Sequence, residues 1–368
     1  MTHHGAAQGG DDGGTRVEPE WGRTGDGTPV ARWVLDDGTV RVGLVEHGAR
    51  IQSVLAPDRD GALADVALGF AGLAPYEGKG RSFGATIGRF ANRLAGGTFP
   101  LDGRTVAVPV TDRGNAIHGG PRPFSQALWT AHEVPGACGA RFSLLSPDGD
   151  NGFPGALSVH VTYVLHDGVL AVETSATTDA PTVVNLTNHA YWNLAGEGSG
   201  TVDAHLLQVD AAEFLPVDPT GVPTGERRPV AGTPFDLSEP VPVGYRLRDG
   251  ERAGDEQLAR GSGFDHCYVL ADVPGGEREV SRAARAEEPV SGRTLEVWTD
   301  QPGLQVFTGG TLAGTLVGKA GAAYGPRAGL ALEAQAFPDA PNHPGFPTTV
   351  LREGELFRSL TEFRFGVS

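Results

Sequence analysis

The stretch "LSVHVTYVLHDGVLAVETSAT", Leu157 to Thr177, sets the fold class. Apolar and polar residues alternate ahead of an Asp-Gly pair, an apolar run follows it, and five of the eleven apolar residues are valine. A period of two places one set of side chains on a core and the other toward water, while Asp-Gly supplies the positive φ angles of a tight hairpin turn. The stretch therefore predicts two antiparallel strands joined at Asp167-Gly168. Outward from it, short runs of the same kind recur: "TVRVGLV", "RIQSVLA", "FSLLS", "TVVNLT", "TLEVWT", "LQVFTG" and "LALEAQ". Most are rich in β-branched residues and bounded by Gly, Pro, Asp or Asn. No fifteen-residue run carries a capped 3.6-residue apolar stripe, and 55 glycines and 27 prolines in 368 residues interrupt the chain too often for long helices. The expected fold is all-β, a large sandwich of antiparallel sheets.

Residues 1–28 are rich in Gly, Asp and small polar side chains without hydrophobic period, which predicts a disordered tail. His3 and His4 within it are too few to form a metal site. Residues 29–368 are expected to form one domain, with the polar stretch Arg246 to Gly263 as a long surface loop. No fixed-period repeat points to a propeller or solenoid. The formal charge of −16 disfavours nucleic acid and anionic membrane surfaces as partners, and no basic patch offsets it. Lys79 and Lys319 are the only lysines, so the basic charge is nearly all arginine. Cys138 and Cys267 lie in unrelated contexts, which gives no reason to pair them, and the first residues lack the apolar core of a secretory signal. The cytoplasm is the expected compartment, and a monomer or homodimer the expected state.

The chemistry-bearing residues cluster in a few segments. "TNHAYWNLAG" (Thr187–Gly196) places His189 directly after the apolar run "TVVNL", and "GNAIHGG" places His118 before two glycines that permit close approach of backbone or ligand. "GLALEAQAFPDAPN" puts Glu333 at the end of an apolar run, where desolvation would raise its pKa toward neutrality. "GATIGRFANRL" contributes Asn92 and Arg93, and "GFDHCYVL" contributes Asp265 and His266. Each has a plain structural reading when taken singly: a surface ion pair for Arg93, a strand-start turn residue for Asp265, a packed ring for His266. Together they suggest a polar pocket for a hydroxylated ligand on strand ends and loops. Trp192 and Phe337 read equally well as core or as a platform for a sugar ring. Asp265 and Glu333 could in principle form the carboxylate pair of a glycoside hydrolase. No ligand spacing supports a metal site built from His118, His189 and Asp265.

"FGATIGRFANRLAGGTFPLDG", "GNAIHGG", "NLTNHAYWNLAG", "FLPVDPTGVPTGERRPVAGTPFDL", "GFDHCYVL", "SGRTLEVWTDQPGLQVFTGG" and "LEAQAFPDAPNHPGFP" resemble, in the same order, segments of the aldose 1-epimerase (galactose mutarotase) family. The resemblance covers nearly all of the chain after the tail. It implies a galactose mutarotase-like β-supersandwich that binds an aldose in an open cleft and interconverts its anomers. It also implies that His189 is the general acid toward the sugar ring oxygen and Glu333 the general base toward the anomeric hydroxyl. Arg93 and His118 would then bond the reacting end, and Asn92, Asp265 and Gln305 would contact other hydroxyls or frame the pocket. Only protons move in that reaction, so the expectation is no metal and no cofactor. Two further readings are an epimerase of a phosphorylated or unusual sugar, which would call for extra cationic groups at the pocket rim, and a sugar-binding module without catalysis.

Overall fold

The computed structural model describes residues 13–270 and 279–368. The stretch that decides the fold class forms strands Leu157–His166 and Val169–Thr178, paired in continuous antiparallel register from Leu157↔Thr178 to His166↔Val169. Asp167 and Gly168 take φ of 50° and 75°, the left-handed values that a two-residue turn between right-twisted strands requires. Leu157, Val159, Val161, Tyr163 and Leu165 face the core, and the residues between them are more exposed.

This hairpin sits within a nine-stranded sheet. Its order is Thr130–Glu133, Gly139–Ser146, Leu157–His166, Val169–Thr178, Phe357–Val367, Arg293–Thr299, Ser281–Glu287, Leu206–Val209, Val241–Pro242. A six-stranded sheet runs Tyr191–Trp192, Leu330–Gln335, Gly303–Phe307, Asp265–Leu270, Ala211–Phe214, Arg228–Pro229. One core cluster holds inward-facing residues of the first sheet, such as Val159 and Val161, together with Leu304, Val306, Leu330 and Leu332 of the second. The two sheets therefore pack face to face as a sandwich. A five-stranded meander from Gly14–Arg23 to Leu63–Asp65 contributes Leu35, Val42, Leu44, Ile51 and Val54 to the same core.

Two expectations need correction. Residues 14–23, assigned above to a disordered tail, form a strand paired with Pro29–Asp36. Its side chains are exposed or half-buried, and apart from Trp21, which packs against a core cluster, backbone pairing holds it, which is why no apolar period marks it. The part of the expected tail in residues 1–12 lies outside the described residues. The stretch Arg246–Gly263, expected as a loop, is largely two helices, Val243–Ala253 and Glu256–Gly261. Gly254, at φ 68°, ends the first, and the Asp255 side chain caps the second by accepting from Leu258 N–H at 3.0 Å. Cys138 and Cys267 are unpaired. Among the described residues no helix is long and apolar enough to cross a membrane.

Candidate active site

The site grows from strand alternation on the six-stranded sheet. In Leu330–Gln335, the residues Leu330, Leu332 and Ala334 enter the sandwich core, so Ala331, Glu333 and Gln335 face the other way. In Gly303–Phe307, Leu304 and Val306 point inward, and Gln305 and Phe307 outward. The register sets Cys267 opposite Gln305, and Gln305 opposite Glu333. Asp265 lies on the same outer face, one residue before His266, which turns into the core. Because all six residues of the Glu333 strand are buried, its sequence shows no alternation although its chemistry alternates.

His189 arrives from the adjoining segment. Its N–H donates to Ala85 O at 2.9 Å, and its own carbonyl accepts from Gly84 N–H at 2.8 Å. Its Nε2 lies 3.6 Å from Glu333 Oε1, with both side chains almost fully enclosed. His189 Nδ1 and Glu333 Oε2 have no hydrogen-bond partner among the described residues. The His118 ring stands 5.5 Å from the His189 ring, nearly perpendicular to it. His118 and Asn92 brace each other: His118 N–H donates to Asn92 O at 3.0 Å, and Asn92 N–H donates to His118 Nδ1 at 3.2 Å. Both occupy left-handed backbone conformations, φ 53° and 60°, a strain that tends to gather at functional sites. With Nδ1 accepting, the neutral imidazole carries its proton on Nε2.

Asn92 Oδ1 accepts from Arg93 N–H at 2.8 Å, and the Arg93 guanidinium is held by Asp112 through Nε–Oδ2 at 2.8 Å. Gln305 Nε2 donates to Asp265 Oδ1 at 2.7 Å. A cavity of about 460 Å³ joins these groups; Asn92, Arg93, His118, His189, Asp265 and Glu333 all line it. Gln305 does not line it and reaches it through Asp265. A larger groove, about 670 Å³, runs along Pro121–Phe124 and Leu144–Asp150 but contains none of the candidate residues. Convergent titratable groups, rather than size, mark the smaller cavity as the candidate site.

Burial dominates the electrostatics. It pushes the Glu333 carboxyl well above the usual carboxylate range, with the negative charge of Asp265 adding to the effect. It lowers His189 to about 4. His118 falls well below its ordinary value through burial, reinforced by His189 and Arg93. Asp265 is raised by burial against the opposing pull of Arg93 and the Gln305 hydrogen bond. The site thus favours a protonated carboxyl and a neutral imidazole, which together carry the same single proton as a carboxylate–imidazolium pair.

Trp192 and Phe337 belong to the core. Trp192 packs on Phe363 at 5.1 Å, and Phe337 on Phe346 at 5.1 Å. Sequence reasoning missed Asp112, Arg113, Tyr191, Arg260, Ser262, Phe307 and Thr311 as lining residues. Phe307 falls two positions from Gln305 on the same strand face, a signal that alternation offers once one partner is known, and Tyr191 opens the strand two residues after His189. Asp112, in the turn "TDRGN", offers none. Among the described residues no group of three His, Cys, Asp or Glu is arranged to hold a metal ion.

An imidazole and a carboxyl thus stand 3.6 Å apart in the lining of a polar cavity on the outer face of an antiparallel sandwich, an arrangement able to exchange protons with a ligand. The chain belongs to the aldose 1-epimerase family, whose model matches residues 31–364. It is 44% identical over 345 residues to the galactose mutarotase of Homo sapiens, spanning 94% of this chain and 96% of that one. It is 36% identical over 344 residues to the aldose 1-epimerase of Escherichia coli, spanning 92% and 96%. Among solved structures, the galactose 1-epimerase from Lactobacillus acidophilus superposes with a TM-score of 0.82 at 26% identity, covering 97% of this chain and 99% of that one.

Proposed function

We infer that this chain interconverts the α and β anomers of a free hexose by opening and reclosing the pyranose ring. Family membership, with relatives named for galactose and for aldoses, supports the reaction. The observation that carries the mechanism is the 3.6 Å approach of His189 Nε2 to Glu333 Oε1 in a closed cavity wall. The proton to be removed is on the anomeric hydroxyl, and the proton to be delivered goes to the ring oxygen. Those oxygens share one carbon, so the acid and base that serve them stand close together, rather than on opposite sides of the ligand.

In the reactive form Glu333 is the carboxylate and His189 the imidazolium. Glu333 takes the proton from the anomeric hydroxyl while His189 gives one to the ring oxygen, and the C1–ring oxygen bond breaks to leave an aldehyde. The pair is then neutral, the state that desolvation favours, so burial lowers the energy of the ring-opened complex. Rotation about the C1–C2 bond presents the other carbonyl face, and reversed proton transfers close the ring. Positioned proton transfer of this kind contributes typically about 100 to 10,000-fold.

Arg93 and the Nε2–H of His118 offset negative charge growing on the anomeric oxygen. Asn92 and Asp265 bond other hydroxyls, and Gln305 fixes Asp265. The chain acts on a small free sugar, and its two unpaired cysteines are in keeping with a cytoplasmic setting. The test is the optical rotation of freshly dissolved α-glucose and α-galactose with and without the protein, in chelator. Faster approach to equilibrium, unaffected by chelator, is expected; no acceleration with either sugar would overturn the reading.

A further inference from the structure

An acid that must reach one oxygen of a small sugar needs a fixed ring plane, and histidines in such sites are commonly oriented by a hydrogen bond to the second ring nitrogen. No described group pairs with His189 Nδ1. What surrounds the imidazole is aromatic instead. The Tyr191 ring lies 4.9 Å from it at an interplanar angle of 33°, and Phe307 meets it edge-on at 6.5 Å. Phe83 stacks on Tyr191 at 4.6 Å and 29°, and also on Tyr324 at 5.7 Å and 14°. A chain of ring contacts thus runs from His189 through Tyr191 and Phe83 to Tyr324. At its far end the Tyr324 hydroxyl accepts from Gly69 N–H at 3.0 Å and lies within hydrogen-bond distance of Gly69 O and of Glu197.

Phe83 is also covalently next to the backbone that grips His189. Gly84 N–H and Ala85 O form the two main-chain hydrogen bonds of His189. Gly84 is closely fitted: at φ +66° a Cβ there would fall 1.8 Å from Ile51 O, and its carbonyl accepts from Ile51 N–H and Asn188 Nδ2, each at 2.9 Å. One three-residue segment therefore holds His189 twice, by its backbone and, through Tyr191, by its ring. Phe83 is buried and does not line the cavity.

We propose that Phe83 is a positioning residue for His189, fixing the plane of the imidazole through Tyr191 so that Nε2 faces the sugar and Glu333. This rests on the reading of His189 as the acid. The groups facing the imidazole are Glu333 from the Leu330–Gln335 strand and His118 from the loop after Ala116–Ile117, with Asp265 and Arg93 farther round the cavity. Tyr191 also faces the imidazole, its hydroxyl held neutral by burial, and Arg81, two residues before Phe83, acts on His118 from farther away. Phe83 itself carries no charge, so replacing it changes packing around His189 and removes no charged group.

The experiment compares Phe83→Leu with Phe70→Leu. Phe70 belongs to the same cluster and touches Phe83, Tyr76 and Tyr324, but makes no ring contact with Tyr191 or His189. Both variants should lose thermal stability. Only Phe83→Leu should lose turnover, by roughly tenfold or more in kcat with KM little changed, since small misplacements of reacting groups are expensive. Its acid limb, set in the wild type by an imidazole held at about 4, should move up toward the ordinary histidine value as solvent reaches the ring. Phe83→Tyr, which keeps a ring, should restore both. Equal kcat losses in the two leucine variants, or an unmoved acid limb in Phe83→Leu, would overturn the proposal. If Phe83→Leu does not fold, Phe83→Met carries the same comparison with a closer volume. NMR titration of the His189 ring in wild type and variant reads the positioning without any turnover. A wild type inactive on every aldose would sink the proposed function, whereas an NMR titration unchanged by the substitution would sink the positioning role alone.

Discussion

Two buried imidazoles flank the same six-stranded sheet: His189 lies just before its edge strand Tyr191–Trp192, and His266 lies within Asp265–Leu270. Both are nearly inaccessible, and burial lowers His189 to about 4 and His266 to about 3. Both sit among aromatic rings, His266 against Phe235 at 4.6 Å and His189 against Tyr191 at 4.9 Å. The difference lies in hydrogen bonding. His266 has both nitrogens engaged, Nδ1 accepting from Asp265 N–H at 3.2 Å and Nε2 paired with Gln257 Oε1 at 3.2 Å. His189 leaves Nδ1 without a partner and turns Nε2 to a carboxyl whose other oxygen is also unpartnered. A shifted pKa therefore does not separate the proposed catalytic histidine from the structural one; within this pair, unsatisfied hydrogen-bonding capacity facing a carboxyl inside the cavity does.

Replacing Glu333 tests that distinction most severely. Glu333→Gln keeps the shape of the side chain but cannot accept a proton, and kcat should fall by about 100 to 10,000-fold while sugar binding, followed by calorimetry, persists. Turnover near the wild-type value would remove Glu333 as the base and dissolve the contrast with His266. His189→Asn should cost turnover on the lower part of the same scale, because the sugar oxygen can still take a proton from water. A change confined to KM would move His189 into the binding set.

The pH profile sharpens the comparison by reading one proton. The active pair holds one proton in total, whether on Glu333 or on His189. A second proton enters as pH falls through the depressed value of His189, so kcat should be retained in mild acid and fall only near pH 4. The shared proton is lost as pH rises through the elevated value of Glu333, which gives the basic limb. An acid limb near the ordinary histidine value of about 6.5 would show that the imidazole is not held neutral by burial. A smaller effect is expected at Asp112, the only carboxylate that ion-pairs with Arg93 among the described residues, at 2.8 Å. Asp112→Asn removes one charge-assisted hydrogen bond and should lower kcat/KM by about tenfold, measured on the preferred sugar.

How far the site was legible follows from the same pair of histidines. The hairpin at Asp167-Gly168 could be read directly because alternation and turn chemistry agree there. "GFDHCYVL" does not reveal that Asp265 turns to the cavity and His266 to the core, since both faces of that strand are buried and the register comes from the neighbouring strands. Residue type and position named Asp265 and His266 together; family resemblance, not pattern, chose Asp265 between them and added Gln305. The helices at Val243–Gly261 were hidden by Gly244, Gly250 and Gly254, which lower helix propensity, and by a narrow apolar face of Val243, Leu247 and Leu258. Asp112 was invisible because its partner, Arg93, is nineteen positions away on a different turn of the chain.

The smallest effect on turnover is expected at Gln257, where the structural member of the comparison can be broken without touching the catalytic one. Gln257 Oε1 accepts from Val217 N–H at 2.7 Å and meets His266 Nε2, while its Nε2 donates to Val217 O at 3.0 Å. Gln257→Leu keeps much of the bulk but leaves the Val217 N–H and one imidazole nitrogen buried without partners, which should destabilise the fold by about 1–3 kcal/mol per orphaned group. Val217 O retains the Arg260 guanidinium, so the loss should stop short of the sum. The cavity gains and loses no lining group, and kcat measured well below the new melting temperature should match the wild type. If kcat fell with stability, the His266 region would be coupled to the chemistry through Asp265, its neighbour in the chain, and the line between the two histidines would have to be redrawn.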